Sequence, residues 1–179
     1  AMNLRTMIPA LTVLLSSLSA VAAVQQSGGP AVSFHAIGPG GLAIDGHSGD
    51  LAVSEQGGKV VFTSQLNALS TGISLRDSHM KEKYLETGKF PTATLSVDRA
   101  ALQFPKGHGV LDVGGQMTIH GVTKTVAVHC DADGAEKSAV FQCSVGININ
   151  DFGIQVPSYL GVTVKPGVTL HVRVGLNDV

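Results

Sequence analysis

Met117-Thr118-Ile119-His120-Gly121-Val122-Thr123-Lys124, followed further along by Asp151-Phe152-Gly153-Ile154, decides the fold of this chain. Neither stretch holds a nucleophile-base pair or a metal cage. Both read as corners of a small β-barrel, an architecture that can hide an apolar ligand from water. Apolar and polar residues alternate around the first corner: Val113, Met117 and Ile119 face one way before it. Beyond it Val126, Val128 and Cys130 share a face, as do Cys143, Val145 and Ile147.

The same period of two runs through most of the chain. Val32, Phe34 and Ala36 alternate with Ser33 and His35, and the Gly38-Pro39-Gly40-Gly41 run then forces a tight bend. Leu42 and Ile44 open a second strand whose phase slips by one before Leu51 and Val53, with Gly46 or Gly49 placed to absorb the slip as a bulge. After the Gly57-Gly58 turn, Val60, Phe62 and Leu66 line the next strand. Ala93, Leu95 and Val97 form another apolar face, and Val168 to Leu176 alternates to the end of the chain. Roughly eight strands, each with one clean apolar face, predict an all-β antiparallel barrel. Closure is favoured because no obviously protected edge strand appears. Abundant Gly (22 residues), no Trp and 4% aromatics suit such a turn-rich class.

One segment breaks the pattern. Ser70 to Pro91 reads STGISLRDSHMKEKYLETGKFP and predicts a single short helix over Ser74 to Glu86. Ser74 or Asp77 caps its start, and Gly88 with Pro91 ends it. Met80 and Tyr84 stand one turn apart with Leu85 beside them, while Lys81, Glu82, Lys83 and Glu86 take the remaining face. Such a helix lays one stripe on the barrel, most usefully over an open mouth.

The 179 residues suffice for one domain with a real core. Twelve basic and thirteen acidic residues nearly cancel, so the overall charge points neither to nucleic acid nor to an anionic membrane surface. Residues 2 to 23 read as a cleaved export signal: Arg5 is the positive end, Ile8 to Leu18 the apolar stretch, and Ala20, Val21, Ala22 and Ala23 the small-residue cleavage region. The apolar stretch falls well short of the roughly 20 residues needed to span a bilayer, so no stable membrane insertion is expected. Ala1, ahead of Met2, reads as an expression remnant. Residues 24 to 31 are expected to form a flexible polar tail, with the barrel over 32 to 179. A periplasmic location follows, with secretion the alternative. Cys130 and Cys143 flank a turn near Asp133-Gly134, and setting them opposite each other also pairs Val128 with Val145 and Val126 with Ile147. Opposed residues of an antiparallel ladder are close enough for a disulfide, which an oxidising compartment would preserve. Two unpaired thiols are the alternative.

Four pieces in order carry a resemblance: Thr71-Gly72-Ile73 with Arg76-Asp77-Ser78-His79-Met80; Phe90-Pro91-Thr92-Ala93-Thr94-Leu95; Gly115 to Lys124; and Asp151-Phe152-Gly153-Ile154. In these the chain resembles the YceI-like family of bacterial exported proteins. The resemblance implies an eight-stranded lipocalin-like barrel, a helical segment near its opening, and a long apolar cavity for an isoprenoid chain such as a polyprenyl lipid or a quinone tail. Asn150 stands where such proteins often carry Arg, and the first strand pair departs from the pattern as well. Both departures bear on the ligand's head group more than on the fold.

The expected cavity residues are Phe62, Met80, Tyr84, Leu95, Val97, Met117, Ile119, Val128, Phe141, Val145, Ile147 and Phe152. An ordinary filled core would use the same residues. Arg76, Asp77 and His79 are the head-group candidates, against a local role in which Asp77 caps the helix and pairs with Arg76. His120 is expected to hold its turn through hydrogen bonds to backbone. His35, His129 and His171 fall on outward faces with no close ligand spacing, so neither a metal nor a cofactor is assigned. The resulting reading is an exported protein, not an enzyme, that sequesters or transports a long apolar lipid. An envelope interaction module with a filled core is the alternative, followed by a barrel enzyme using His79 or His120. A homodimer is left open.

Overall fold

The computed structural model describes residues 23–159 and 162–179. The expected export segment therefore lies outside the described residues, apart from Ala23. Eleven strands follow in order: β1 Val24–Ile37, β2 Ala43–Ser48, β3 Ala52–Gln56, β4 Lys59–Gln65, β5 Thr92–Asp98, β6 Gly107–Ile119, β7 Val122–Ala135, β8 Ser138–Asn148, β9 Ser158–Tyr159, β10 Val162–Thr163 and β11 Gly167–Asp178. One α-helix, α1 Ser74–Ser78, sits between β4 and β5. Nine strands form one antiparallel sheet in the order β2-β1-β11-β8-β7-β6-β5-β4-β3, and β9 with β10 makes a small separate ribbon.

The sheet curls so that its two edge strands are consecutive in the chain. Gly49-Asp50-Leu51 joins β2, paired along β1, to β3, paired along β4. Nine strands rather than eight arise because the run from Ala43 to Gln56 breaks at this point, where the phase slip appears in the sequence. Gly46 is not the break. It remains in β2 opposite Phe34, whose ring approaches so closely that an added Cβ would lie 2.2 Å from it. No ladder joins β2 to β3 among the described residues, and other contacts bridge the seam. His47 and Ser70 exchange backbone hydrogen bonds toward one end. At the other, Arg99 pairs with Asp178 at 2.5 Å and approaches Glu55 at 3.7 Å, while Glu55 accepts the Val24 N–H.

Residues 24 to 31 are not a free tail. Val24 to Ser27 pair with Gly175 to Asp178, and the ladder resumes at Ala31 after a bulge containing Gly28 at φ 72°. Pairing needs only backbone, so the polar side chains of Gln25 and Gln26 do not oppose it, and Val24 supplies a buried apolar anchor.

The helical segment also differs from expectation. Regular α-helix covers only Ser74–Ser78; from His79 to Tyr84 the turns widen, with the Leu85 N–H reaching the Met80 carbonyl. Ile73 occupies the N-cap position without a side-chain bond, so neither Ser74 nor Asp77 caps the helix. Its end comes at Glu86, which adopts φ 46° and accepts N–H bonds from Lys89 and Phe90. Gly88 and Pro91 lie beyond that stop.

Cys130 and Cys143 form the disulfide, directly opposite in the β7–β8 ladder. That ladder runs from Ala135↔Ser138 to His129↔Ser144 and stops, so the expected Val128–Val145 and Val126–Ile147 pairs are not made. The turn Ile149–Phe152 packs against both β7 and β8 past this point. Its Asn148 side chain accepts the Asn150 N–H, and Gly153 closes it at φ 70°.

His129 and His171 are exposed and His35 is half-buried, and none of the three lines the cavity, as their strand phase predicts. His129 Nδ1 lies 2.7 Å from Asp112, and this hydrogen bond, reinforced by the carboxylate's charge, raises the imidazole pKa above its ordinary 6.5. The pair favours the folded state below the ordinary His value, and this is lost as pH rises through the raised one. In an NMR titration His129 should titrate above 6.5, and Asp112→Asn should return it there. An unchanged midpoint in the variant would exclude the pairing. Replacing both cysteines by Ala should cost about 2–4 kcal/mol, measured by denaturant unfolding without reductant. An unaltered midpoint would contradict a bridged pair in the folded protein.

Candidate functional site: an apolar cavity under the helical segment

The barrel interior divides by level. On the longer strands the inward residues nearer one end are packed solid, while those nearer the other face open space. Along β11, Val174 and Leu176 are buried in the core, whereas Val168, Leu170 and Val172 line a cavity. Along β8 the change falls between Phe141 and Cys143; along β4, between Val60 and Phe62; along β5, between Val97 and Leu95. The ladder aligns these changes: Val60 pairs with Val97, Phe62 with Leu95, and Leu95 with Met117. Phe104 stacks edge-on against Phe141 at 5.6 Å and thickens the packed end.

The open level holds a cavity of about 690 Å³. This lies within the range of small-molecule sites, roughly 300–1,000 Å³. Of the residues expected to line it, Phe62, Leu95, Met117, Ile119, Val128, Val145 and Ile147 do so from the strands, and Met80 and Tyr84 do so from the helical segment. Val97, Phe141 and Phe152 do not. Val97 and Phe141 belong to the packed end at 3% and 1% exposure. Phe152, equally buried, sits in the turn wedged against β7 and β8 where those strands part. Alternation marks a side chain as inward but carries no information about its level, which explains the first two errors.

Other wall residues are not among those expected to line the cavity, and Leu66, expected in a strand, falls in the turn after β4. Phe34 and Ile44 contribute from β1 and β2, Leu66 and Leu69 from the turn after β4, and Ile154 with Pro157 from the segment after Gly153. The Phe34 and Leu170 alternation is visible in the sequence; the loop residues have no periodic signal.

The arginine and histidine of the wall both stand at the helical rim. Arg76 and His79 line the cavity, and Asp77 does not. Asp77 instead accepts bonds from the Thr71 N–H at 2.8 Å, the Thr71 hydroxyl at 2.5 Å and the Ser70 hydroxyl at 2.8 Å. The Thr71 hydroxyl is the main cause holding its carboxyl below the ordinary value, against the opposing effect of burial. Arg76 does not pair with Asp77. Its Nε donates to Thr71 Oγ1 at 2.7 Å and its Nη2 to the Thr71 carbonyl at 2.8 Å. Two neighbouring charged residues thus clamp one threonine, fixing the loop that starts the helix. Arg76 Nη1 is in neither bond, leaving donor capacity at the cavity wall.

His120 takes another part in the same rim. With Gly121 it forms the two-residue turn between β6 and β7, both at positive φ (53° and 75°). Its Nε2 lies 2.6 Å from Glu86 and its ring 4.4 Å from that of Phe90. The expected bonds to backbone are replaced by a tie from the hairpin tip to the end of the helical segment. That tie fixes the cover over the cavity, a long-range contact that no local pattern reveals.

Comparison with known proteins places this architecture. A YceI-like domain model matches residues 31–176. A UPF0312 protein of Vibrio vulnificus is 30% identical over 136 residues, 70% of this chain and 69% of that one. A UPF0312 protein of Vibrio cholerae is 29% identical over 121 residues, 64% of this chain, and the match spans 61% of the relative's length. Among solved structures, a polyisoprenoid binding domain from Saccharophagus degradans implicated in plant cell wall breakdown superposes with a TM-score of 0.70 at 15% identity, covering 88% of this chain and 98% of that one. At that identity the likeness is one of fold. From the family model and the Vibrio vulnificus relative together, the chain belongs to the YceI-like domain family.

Proposed function

We propose that this protein is an exported carrier that sequesters or transports a long apolar lipid, of the polyisoprenoid or quinone type, in its barrel cavity. The observation that carries the proposal is the 690 Å³ space itself, walled mostly by aliphatic and aromatic side chains, with Arg76 and His79 at its helical rim. Enclosing about 300 Å² of apolar ligand surface contributes roughly 7 kcal/mol at 25 cal/mol per Å², before association costs of comparable order are subtracted. The polyisoprenoid binding named for the Saccharophagus degradans domain supports the same ligand class. The disulfide is consistent with export to an oxidising compartment. Of the head-group candidates, Arg76 and His79 remain and Asp77 is given to the Thr71 loop. A solid interaction module is the weaker reading, because a filled core would leave no such space.

Organic extraction of purified protein, followed by mass spectrometry, should recover a polyprenyl or quinone-type lipid; protein from its native host that yields none would count against carriage. Ile119→Trp, on the cavity wall, should lower the recovered lipid while the barrel still melts cooperatively. Val97→Trp, in the packed end, should instead destabilise the fold by about 1–3 kcal/mol through overpacking. Equal lipid recovery from wild type and Ile119→Trp would place the ligand elsewhere.

A second experiment addresses the rim. Arg76→Gln should weaken binding of a polyprenyl phosphate about tenfold, the order expected for one charge-assisted hydrogen bond, and leave a polyprenyl alcohol unchanged. Equal loss for both probes would assign Arg76 to the Thr71 loop alone.

A further inference from the structure

The two ends of the barrel differ in chemistry as well as in packing. Leu42, Ile73, Leu75, Val110 and Val179 are the large apolar residues exposed among the described residues. Leu42, Ile73 and Leu75 gather at the cavity mouth. Ile73 and Leu75, at 53% and 69% exposure, form part of its wall. Leu42, at 62%, lies in the tight turn that contributes Pro39 to the same wall. Its N–H donates to the Pro39 carbonyl and its carbonyl accepts the Gly38 N–H, which holds the backbone of the turn. Exposed apolar side chains clustered around one opening mark an interaction surface rather than scattered surface residues.

Charge follows the same division. Arg76, Lys81, Lys83, Lys89, Lys124 and Lys165 stand at the mouth end, and no ion pair among the described residues engages them. Lys165 is placed beside the Leu42 turn by its N–H bond to the Ile37 carbonyl at 2.7 Å. At the packed end Lys59 pairs with Asp98, Arg99 with Asp178 and Lys106 with Glu136, while Lys137 in the β7–β8 turn makes no ion pair among the described residues. Five acidic groups share the mouth: Asp45 bonded to His35, Asp77 held by Ser70 and Thr71, Glu86 bonded to His120, and Glu82 and Asp151. The mouth therefore presents exposed apolar side chains interspersed with lysines that make no ion pair among the described residues, Lys165 beside the Leu42 turn in particular. An anionic lipid surface is complementary to both features.

We propose that the mouth end docks reversibly on an anionic lipid bilayer, with Leu42, Ile73 and Leu75 entering the interface and the basic side chains meeting lipid phosphates. In that pose the cavity opens directly toward hydrocarbon, and a lipid chain passes between bilayer and barrel without crossing water. The inference takes its purpose from the proposed carriage of a lipid, but docking is measured separately.

The chain has no Trp, so a single introduced indole reports its own depth. Leu42→Trp at the mouth and Val110→Trp on β6, near the packed end, are each made in the full chain and titrated with vesicles of brominated phosphatidylcholine and phosphatidylglycerol. The Leu42→Trp emission should be quenched and the Val110→Trp emission should not. Adding Lys165→Gln to the Leu42→Trp protein should require about fivefold more lipid for the same quenching, the contribution of one basic residue at an anionic surface. Quenching at neither position, equal quenching at both, or no shift with Lys165→Gln would overturn the proposal. Retention of a polyprenyl alcohol is measured on the same proteins in vesicle-free solution. Failure there with mouth-specific quenching intact would sink lipid carriage and leave docking standing.

Discussion

The packed layer built from Val60, Val97, Phe141, Val174 and Leu176 is what the rest of the molecule depends on. These residues are nearly or wholly inaccessible and interlock across β4, β5, β8 and β11, with Phe104 stacked against Phe141 beneath them. A barrel of this girth has just enough room for its own side chains or for one slender ligand. Filling one level with interlocked side chains fixes strand spacing and register, so the adjoining level need not be filled to keep its shape. Arg99 reinforces this end by reaching both Asp178 and Glu55 across a seam that lacks ladder bonds.

Above that layer the architecture is held by its edges. The Cys130–Cys143 bridge lies where the β7–β8 ladder is about to end, and the Ile149–Phe152 turn packs where those strands separate. On the helical side, Thr71 is clamped by Arg76 and Asp77, and His120 is tied to Glu86. These contacts surround the opening without projecting bulk into it. Wide helical turns from His79 to Tyr84 set Met80 and Tyr84 facing the space below. A covered but unfilled chamber is the outcome, and a carrier needs such a chamber.

Much of this was legible from residues alone, and the rest fails for identifiable reasons. Strict alternation around Met117, Leu95 and Leu170 shows which side chains turn inward, because a period of two belongs to each strand by itself. The height of a side chain in the barrel depends on register with distant strands, and so Val97 and Phe141 could not be separated from Leu95 and Val145. Opposing Cys130 and Cys143 requires only local hairpin geometry, and that pairing is correct. Extending the same register to Val126 and Ile147 fails because the ladder ends at His129↔Ser144, beyond which β7 stays paired with β6 and β8 with β11. Composition misled for residues 24 to 31, since backbone pairing with β11 is indifferent to their polarity. Glu86 ends the helical segment with no glycine, held in a left-handed conformation beside its tie to His120.

Apolar space persists above the packed layer, and the proposed function requires that it take up a ligand. A high-resolution crystallographic map of protein purified from its native host tests it most directly. The account predicts continuous elongated density between Phe62, Met117 and Leu170, not attributable to protein atoms. A map in which those side chains turn inward and meet, leaving no unassigned density, would contradict it.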